Sequence, residues 1–302
     1  MNKLLKLIPL MIITFLLSAC SSFGYAGKEI TIGGKNFTEQ YLLSEMTGFL
    51  LEQEGFKVKQ MNNLGSSVVR SALENGQVDM IWEYTGTALI TYLGEEPITD
   101  PIKAFEKVKD IDSKNGIHWM NMSKVNNTYA LAMTSERVKE LGIQSISDLA
   151  SYVNENPGKL TIASDAEFAS RSDGLKGVEQ TYGFEFGANQ IKQMDVGLTQ
   201  RALDNEQVDV SVAFETDASI KNYDLVVLED DKLFFPPYRA AVSINQEVFE
   251  EYPEIEEITA RLADKLDSNI MRELNYRVDI QRESVSVVAY EWLVENGMLH
   301  EK

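Results

Sequence analysis

The sequence predicts an α/β protein of two lobes, each a parallel sheet flanked by helices, with a cleft between them. Three observations carry that reading. A pattern is written twice: Ile30-Thr31-Ile32-Gly33-Gly34-Lys35 matches Leu160-Thr161-Ile162-Ala163-Ser164-Asp165, and Ala72-Leu73-Glu74-Asn75-Gly76-Gln77-Val78-Asp79 matches Ala202-Leu203-Asp204-Asn205-Glu206-Gln207-Val208-Asp209, both at a separation of 130 residues. Within each copy, short apolar runs alternate with amphipathic stretches, the order expected of strands and crossover helices. The chain of 302 residues is long enough to bury two cores.

Taken from the N-terminus, Lys3 and Lys6 precede an apolar run over 7–17 that is too short to span a bilayer, so residues 1–19 read as a secretory leader. Leu17-Ser18-Ala19-Cys20 resembles a bacterial lipobox. Cys20, the sole cysteine, is therefore read as the lipidated N-terminus and residues 20–27 as a tether, which leaves no thiol for a disulfide or for catalysis. Helices are expected at 38–54 and 66–75 in the first copy and at 171–182 and 197–205 in the second. Val78, Met80, Ile81 and Trp82 form a buried strand that ends at Trp82, where Glu83-Tyr84-Thr85-Gly86-Thr87 turns polar. After the second copy come Pro236-Pro237, a strand over 239–244, a helix start near Pro253, and helices over 256–270 and 282–296. This tail returns to the first lobe. Lobe 1 is then 28–128 plus 236–302 and lobe 2 is 129–235, with hinge crossings near 126–130 and 232–238.

Forty-seven acidic residues against 28 basic give a formal charge of −19, which argues against nucleic acid and anionic membrane surfaces as electrostatic partners. An enzyme reading finds little support. His118 lies in a strand-like segment, His300 is near the C-terminus, and neither has the spacing of a metal ligand. Glu39, Glu83, Glu215 and Asp217 have no acid/base partner motif and read as helix caps or solvated loop edges. Gly33-Gly34 is too short for a phosphate loop. No cofactor or metal is implied.

In parallel sheets a ligand lies beyond the carboxyl ends of the strands. That places Lys35 with Asp165, and Tyr84 with Phe214, around one crevice. Tyr129 and Tyr238 fall at the interlobe crossings, and aromatic faces gathered in this way attract a quaternary ammonium group.

The stretches GGKNFTEQYLLSEM, NNLGSS, ALENGQVDMIWEYTGT, VNNTYALAM, EFASRSDG and FFPPYRAAV resemble the glycine betaine/choline-binding lipoproteins of osmoprotectant ABC importers, over nearly the whole mature chain. The resemblance implies a type II periplasmic-binding-protein fold and a small quaternary ammonium ligand. It also implies a lipid anchor on the extracytoplasmic face and permease subunits as partners. It maps a trimethylammonium cage onto Tyr84, Tyr129, Phe214 and Tyr238, where the family commonly has tyrosine in place of Phe214. It assigns a ligand carboxylate to Lys35, Thr87 and Arg171, and the chemistry agrees: a compact ammonium, a hydroxyl and a guanidinium fork all donate to carboxylate. Asn127 would offer its backbone carbonyl or amide. On this basis carboxylate-bearing osmolytes are expected to be preferred over choline. A lobe feeding a sensor and, further off, an enzyme on the same fold are the alternatives.

Overall fold

The computed structural model describes residues 27–300, so the leader, Cys20 and the tether up to residue 26 lie outside the described residues. The first sheet is ordered β2-β1-β3-β10-β4, from Lys57–Leu64 (β2), Glu29–Lys35 (β1), Met80–Tyr84 (β3), Ala240–Asn245 (β10) and Ile117–Met120 (β4). The second is ordered β7-β6-β8-β5-β9, from Ile191–Gln193 (β7), Ile162–Ser164 (β6), Val210–Phe214 (β8), Tyr129–Thr134 (β5) and Leu225–Val227 (β9). The same device closes both repeats: Asp79 accepts from the Thr31 amide at 2.6 Å, and Asp209 accepts from the Thr161 amide at 2.8 Å.

The sheets are mixed, which corrects the expectation of parallel ones. β1 runs parallel to β2 and β3, whereas β10 runs antiparallel to β3 and β4. β6 likewise runs parallel to β7 and β8, and β5 antiparallel to β8 and β9. The physical reason is the path of the chain. β3 and β8 run toward the cleft, and a strand that has just crossed the cleft can only run away from it. β3 also continues past Trp82 to Tyr84, because β10 pairs with it through Ala240.

The crossings lie side by side. Asn127 donates its amide to the Tyr238 carbonyl at 3.0 Å, and the Tyr238 amide donates to Asn126 Oδ1 at 2.7 Å. The tail does return to the first lobe, where its helices cover helix Thr38–Gln53. That helix buries Leu42, Leu43, Met46, Leu50 and Leu51 at helical spacing between the sheet and the tail.

Two helix boundaries differ from expectation. The helix expected over 171–182 begins only at Leu175 and runs to Tyr182; a separate short helix, Ala166–Ser170, precedes it, and Arg171 sits in the break. Gly174 closes that break: a Cβ there would lie 2.0 Å from the Phe168 carbonyl oxygen. The stretch 256–270 is likewise two helices, Ile255–Lys265 and Ser268–Asp279, because Asp267 accepts from the amides of Asn269 and Ile270 and starts a new one.

Candidate functional site

Strand register sets the site. Lys35, Tyr84 and Phe214 end β1, β3 and β8, Tyr129 opens β5, and Tyr238 precedes β10 by two residues. Their side chains meet at one cavity. Thr87, Asn127, Asp165 and Arg171 line it as well, so all nine residues that the sequence places at the cleft come together.

The rings form a continuous wall. Tyr129 and Phe214 are direct cross-strand partners with centroids 4.9 Å apart, and Tyr238 meets Tyr129 edge-on at 5.4 Å. Phe37, which the sequence reading did not single out, bridges the wall by stacking on Phe214 and Tyr84, each at 6.2 Å. Its only signal was position, two residues beyond Lys35 on the same loop. Buried carboxylates fix the rotation of two rings: Tyr84 donates to Glu39 Oε1 at 2.7 Å, and Tyr238 donates to Asp173 Oδ2. Burial pushes the phenols of Tyr84, Tyr129 and Tyr238 well up, so all three stay neutral at physiological pH.

The two cations are buried and already paired. Lys35, 4% exposed, donates to Glu83, whose other oxygen accepts from Tyr92 at 3.0 Å. Arg171, 7% exposed, engages Asp173 through Nε at 2.7 Å and through Nη2, while its Nη1 reaches Glu167 at 2.8 Å and Thr87 at 3.4 Å. Glu83 is therefore no solvated loop edge. A desolvated lysine requires a counter-charge, and Glu83 supplies it. Glu39 is also buried, behind Tyr84, where burial raises its carboxyl. Glu215 does stand at a half-buried loop edge, and Asp217 accepts from the Phe214 amide at 2.8 Å. Asp173, two residues beyond Arg171, was missed because a short-range acidic neighbour reads as surface charge until the chain folds back on itself.

These pairs orient the cations without exhausting them. An ammonium has three N–H groups and a guanidinium five. One of Lys35's goes to Glu83, and Arg171 keeps an N–H on Nη2 beyond those given to Asp173, Glu167 and Thr87.

Of the two backbone groups expected of Asn127, the amide is taken up within the fold. Its backbone amide joins the two crossings, and its side chain donates to Glu39 at 2.9 Å and to Thr216 at 3.0 Å, bridging the sheets. Asp165 lines the cavity, and its Oδ1 accepts from the amides of Glu167 and Phe168. His118 stands apart from the cavity, stacked on Phe249 at 3.9 Å. Among the described residues no cluster of His, Cys, Asp and Glu is arranged to hold a metal ion, and no helix is long and apolar enough to cross a membrane. Such an arrangement is able to meet a cation with ring faces and an anion with spare N–H donors.

Known proteins give this cavity a context. A family model described as the substrate binding domain of ABC-type glycine betaine transport systems matches residues 28–295. The chain is 40% identical over 308 residues to a glycine-betaine-binding protein of Pseudomonas aeruginosa, covering 99% of this chain and 96% of that one. It is 35% identical over 311 residues to a carnitine transport binding protein of Listeria monocytogenes, covering 100% and 99%. The crystal structure of a glycine betaine/carnitine/choline ABC transporter superposes with a TM-score of 0.71 at 33% identity, covering 89% of this chain and 99% of that one. By sequence over almost its full length and by fold, this chain belongs to the family of substrate-binding domains of ABC-type glycine betaine transport systems, which are transport proteins and not enzymes.

Proposed function

We propose that this protein captures a zwitterionic quaternary ammonium osmolyte, such as glycine betaine, proline betaine or carnitine, and delivers it to the permease subunits of an ABC importer. The trimethylammonium group rests against Tyr84, Tyr129, Phe214 and Tyr238, with Phe37 as a fifth wall. The carboxylate takes the spare N–H groups of Lys35 and Arg171 and the Thr87 hydroxyl. One observation carries this reading: a single cavity between the sheets is lined by that ring wall and by two buried cations with unused donors. Cation–π attraction contributes roughly 0.5–2 kcal/mol per desolvated face, against the ~8 kcal/mol of a micromolar complex.

Calorimetric titration tests it. Arg171→Ala should weaken glycine betaine at least about thirtyfold, because truncating one partner of a desolvated charge pair costs about 2–5 kcal/mol, and should weaken choline far less. Tyr84→Ala and Tyr238→Ala should weaken both ligands. Intact betaine affinity in Arg171→Ala, or wild-type choline binding tighter than every carboxylate-bearing analogue, would overturn the carboxylate assignment.

Cys20 completes the reading as a lipid anchor that holds the binding lobes, 28–128 plus 236–302 and 129–235, at the extracytoplasmic face. Cys20→Ala should release the protein from the membrane fraction. Unchanged retention and mass would refute the anchor.

A further inference from the structure

We propose that Asp165 is a hydrogen-bond acceptor for the ligand, and that it selects, among quaternary ammonium osmolytes, those carrying a hydroxyl group between the cationic head and the far end of the molecule. This deepens, and rests on, the reading of the cavity as an osmolyte pocket.

Asp165 follows β6 at the position that Lys35 holds at the end of β1 in the first repeat, and both line the cavity. One strand end thus offers a cation with spare donors, and its counterpart offers an acceptor. The side chain of Asp165 is only half used. Oδ1 accepts from the amides of Glu167 and Phe168 at 2.9 and 3.0 Å, whereas Oδ2 is buried with no partner among the described residues. Neither neighbouring cation is bonded to it: Lys35 holds Glu83, and Arg171 holds Asp173 and Glu167. A buried carboxylate oxygen in that state requires a donor.

The two ends of a betaine cannot supply one. A quaternary nitrogen has no N–H, and its methyl groups belong against the rings. A ligand carboxylate is itself an acceptor and is repelled by Asp165, which directs it toward Lys35, Thr87 and Arg171. A hydroxyl placed between those ends meets the requirement. Carnitine has one together with a carboxylate, choline has one without a carboxylate, and glycine betaine has none.

The test is titration calorimetry on the full-length mature protein with carnitine, its hydroxyl-free twin γ-butyrobetaine, glycine betaine and choline. Asp165→Asn keeps the Oδ1 cap and replaces Oδ2 with a nitrogen that cannot accept. Asp165→Ser, which also keeps a capping oxygen, guards against a fault peculiar to the amide. The expected result is that both variants weaken carnitine about tenfold more than its hydroxyl-free twin γ-butyrobetaine, and choline more than glycine betaine. Equal losses for all four ligands would mean that Asp165 acts on the cationic head or on the fold, and unchanged carnitine affinity would mean that it accepts nothing; either outcome overturns the proposal. If wild type binds γ-butyrobetaine and glycine betaine but shows no gain from the hydroxyl, only the role of Asp165 fails. If it binds none of the four, the osmolyte reading fails first and this one falls with it.

Discussion

Gly86 lies directly beneath the ring of Tyr238: a Cβ at that position would come within 2.6 Å of the ring's Cδ1. The glycine is there for close approach, since its φ of −64° suits any residue. Gly86→Ala should tilt Tyr238 out of the wall and weaken every quaternary ammonium ligand alike, by about tenfold if one ring face is lost. A titration showing full affinity would mean that the ring yields without consequence. Asp217 tests the other side of the wall. It accepts from the Phe214 amide and from Gln200, and burial, reinforced by Asp279 and Glu39, pushes its carboxyl up from 3.8 to about 7. A raised folded-state value means that the protonated form favours folding, so this contribution is whole below about pH 4 and is lost as pH climbs to about 7. Asp217→Asn keeps an acceptor and never charges. The stability of wild type relative to this variant should therefore fall across that window, by at most about 4 kcal/mol at 1.36 kcal/mol per unit. Urea unfolding at stepped pH measures the difference, and a flat one would show the carboxylate to be well solvated.

Two helices of the first lobe are joined by a buried charge pair. Arg70 on helix Ser66–Glu74 grips Asp112 on helix Pro101–Ser113 through both Nη atoms, at 2.7 and 2.6 Å, and Asp112 also accepts from Trp119 at 2.7 Å. Asp112 is fully buried. Asp112→Ala leaves both Nη groups of Arg70 and an indole N–H without their acceptor, with only Glu74 still held through Nε at 2.6 Å, and should cost about 3 kcal/mol in chemical denaturation. Arg70→Met combined with Asp112→Leu should cost less than the single change, because no buried charge is then left unpaired. If the double variant is the worse of the two, the pair contributes more than its own desolvation cost.

The two sheets are held together around the cavity. Asn126 donates to Glu215 at 2.7 Å, Arg272 donates to the Glu215 carbonyl at 2.7 Å, and Arg171 reaches Thr87 across the cleft. Contacts from both sides favour a closed form, and a ligand that touches both sides adds to that preference. Small-angle scattering with saturating glycine betaine should show a smaller radius of gyration than the ligand-free protein. Superimposable curves would mean that the protein does not close on this ligand.

The sequence by itself determined the two-fold repeat and the return of the tail to the first lobe, and it pointed to most of the residues that meet at the cavity, Thr87 and Arg171 through the family resemblance alone. These follow from local pattern: loops beyond the strands marked by Lys35 and Tyr84, crossings marked by Tyr129 and Pro236-Pro237, and motifs long enough to identify a family. Tertiary structure alone decided the mixed sheets, since strand direction depends on which side of the cleft the chain has reached. It also decided the break at Arg171, where Gly174 folds back on Phe168, and the place of Phe37 in the ring wall. Above all it decided the charges. Lys35 and Arg171 read as free cations in the sequence, and in the fold they hold Glu83, Asp173 and Glu167, because a charge taken out of water must find its partner wherever the chain brings one.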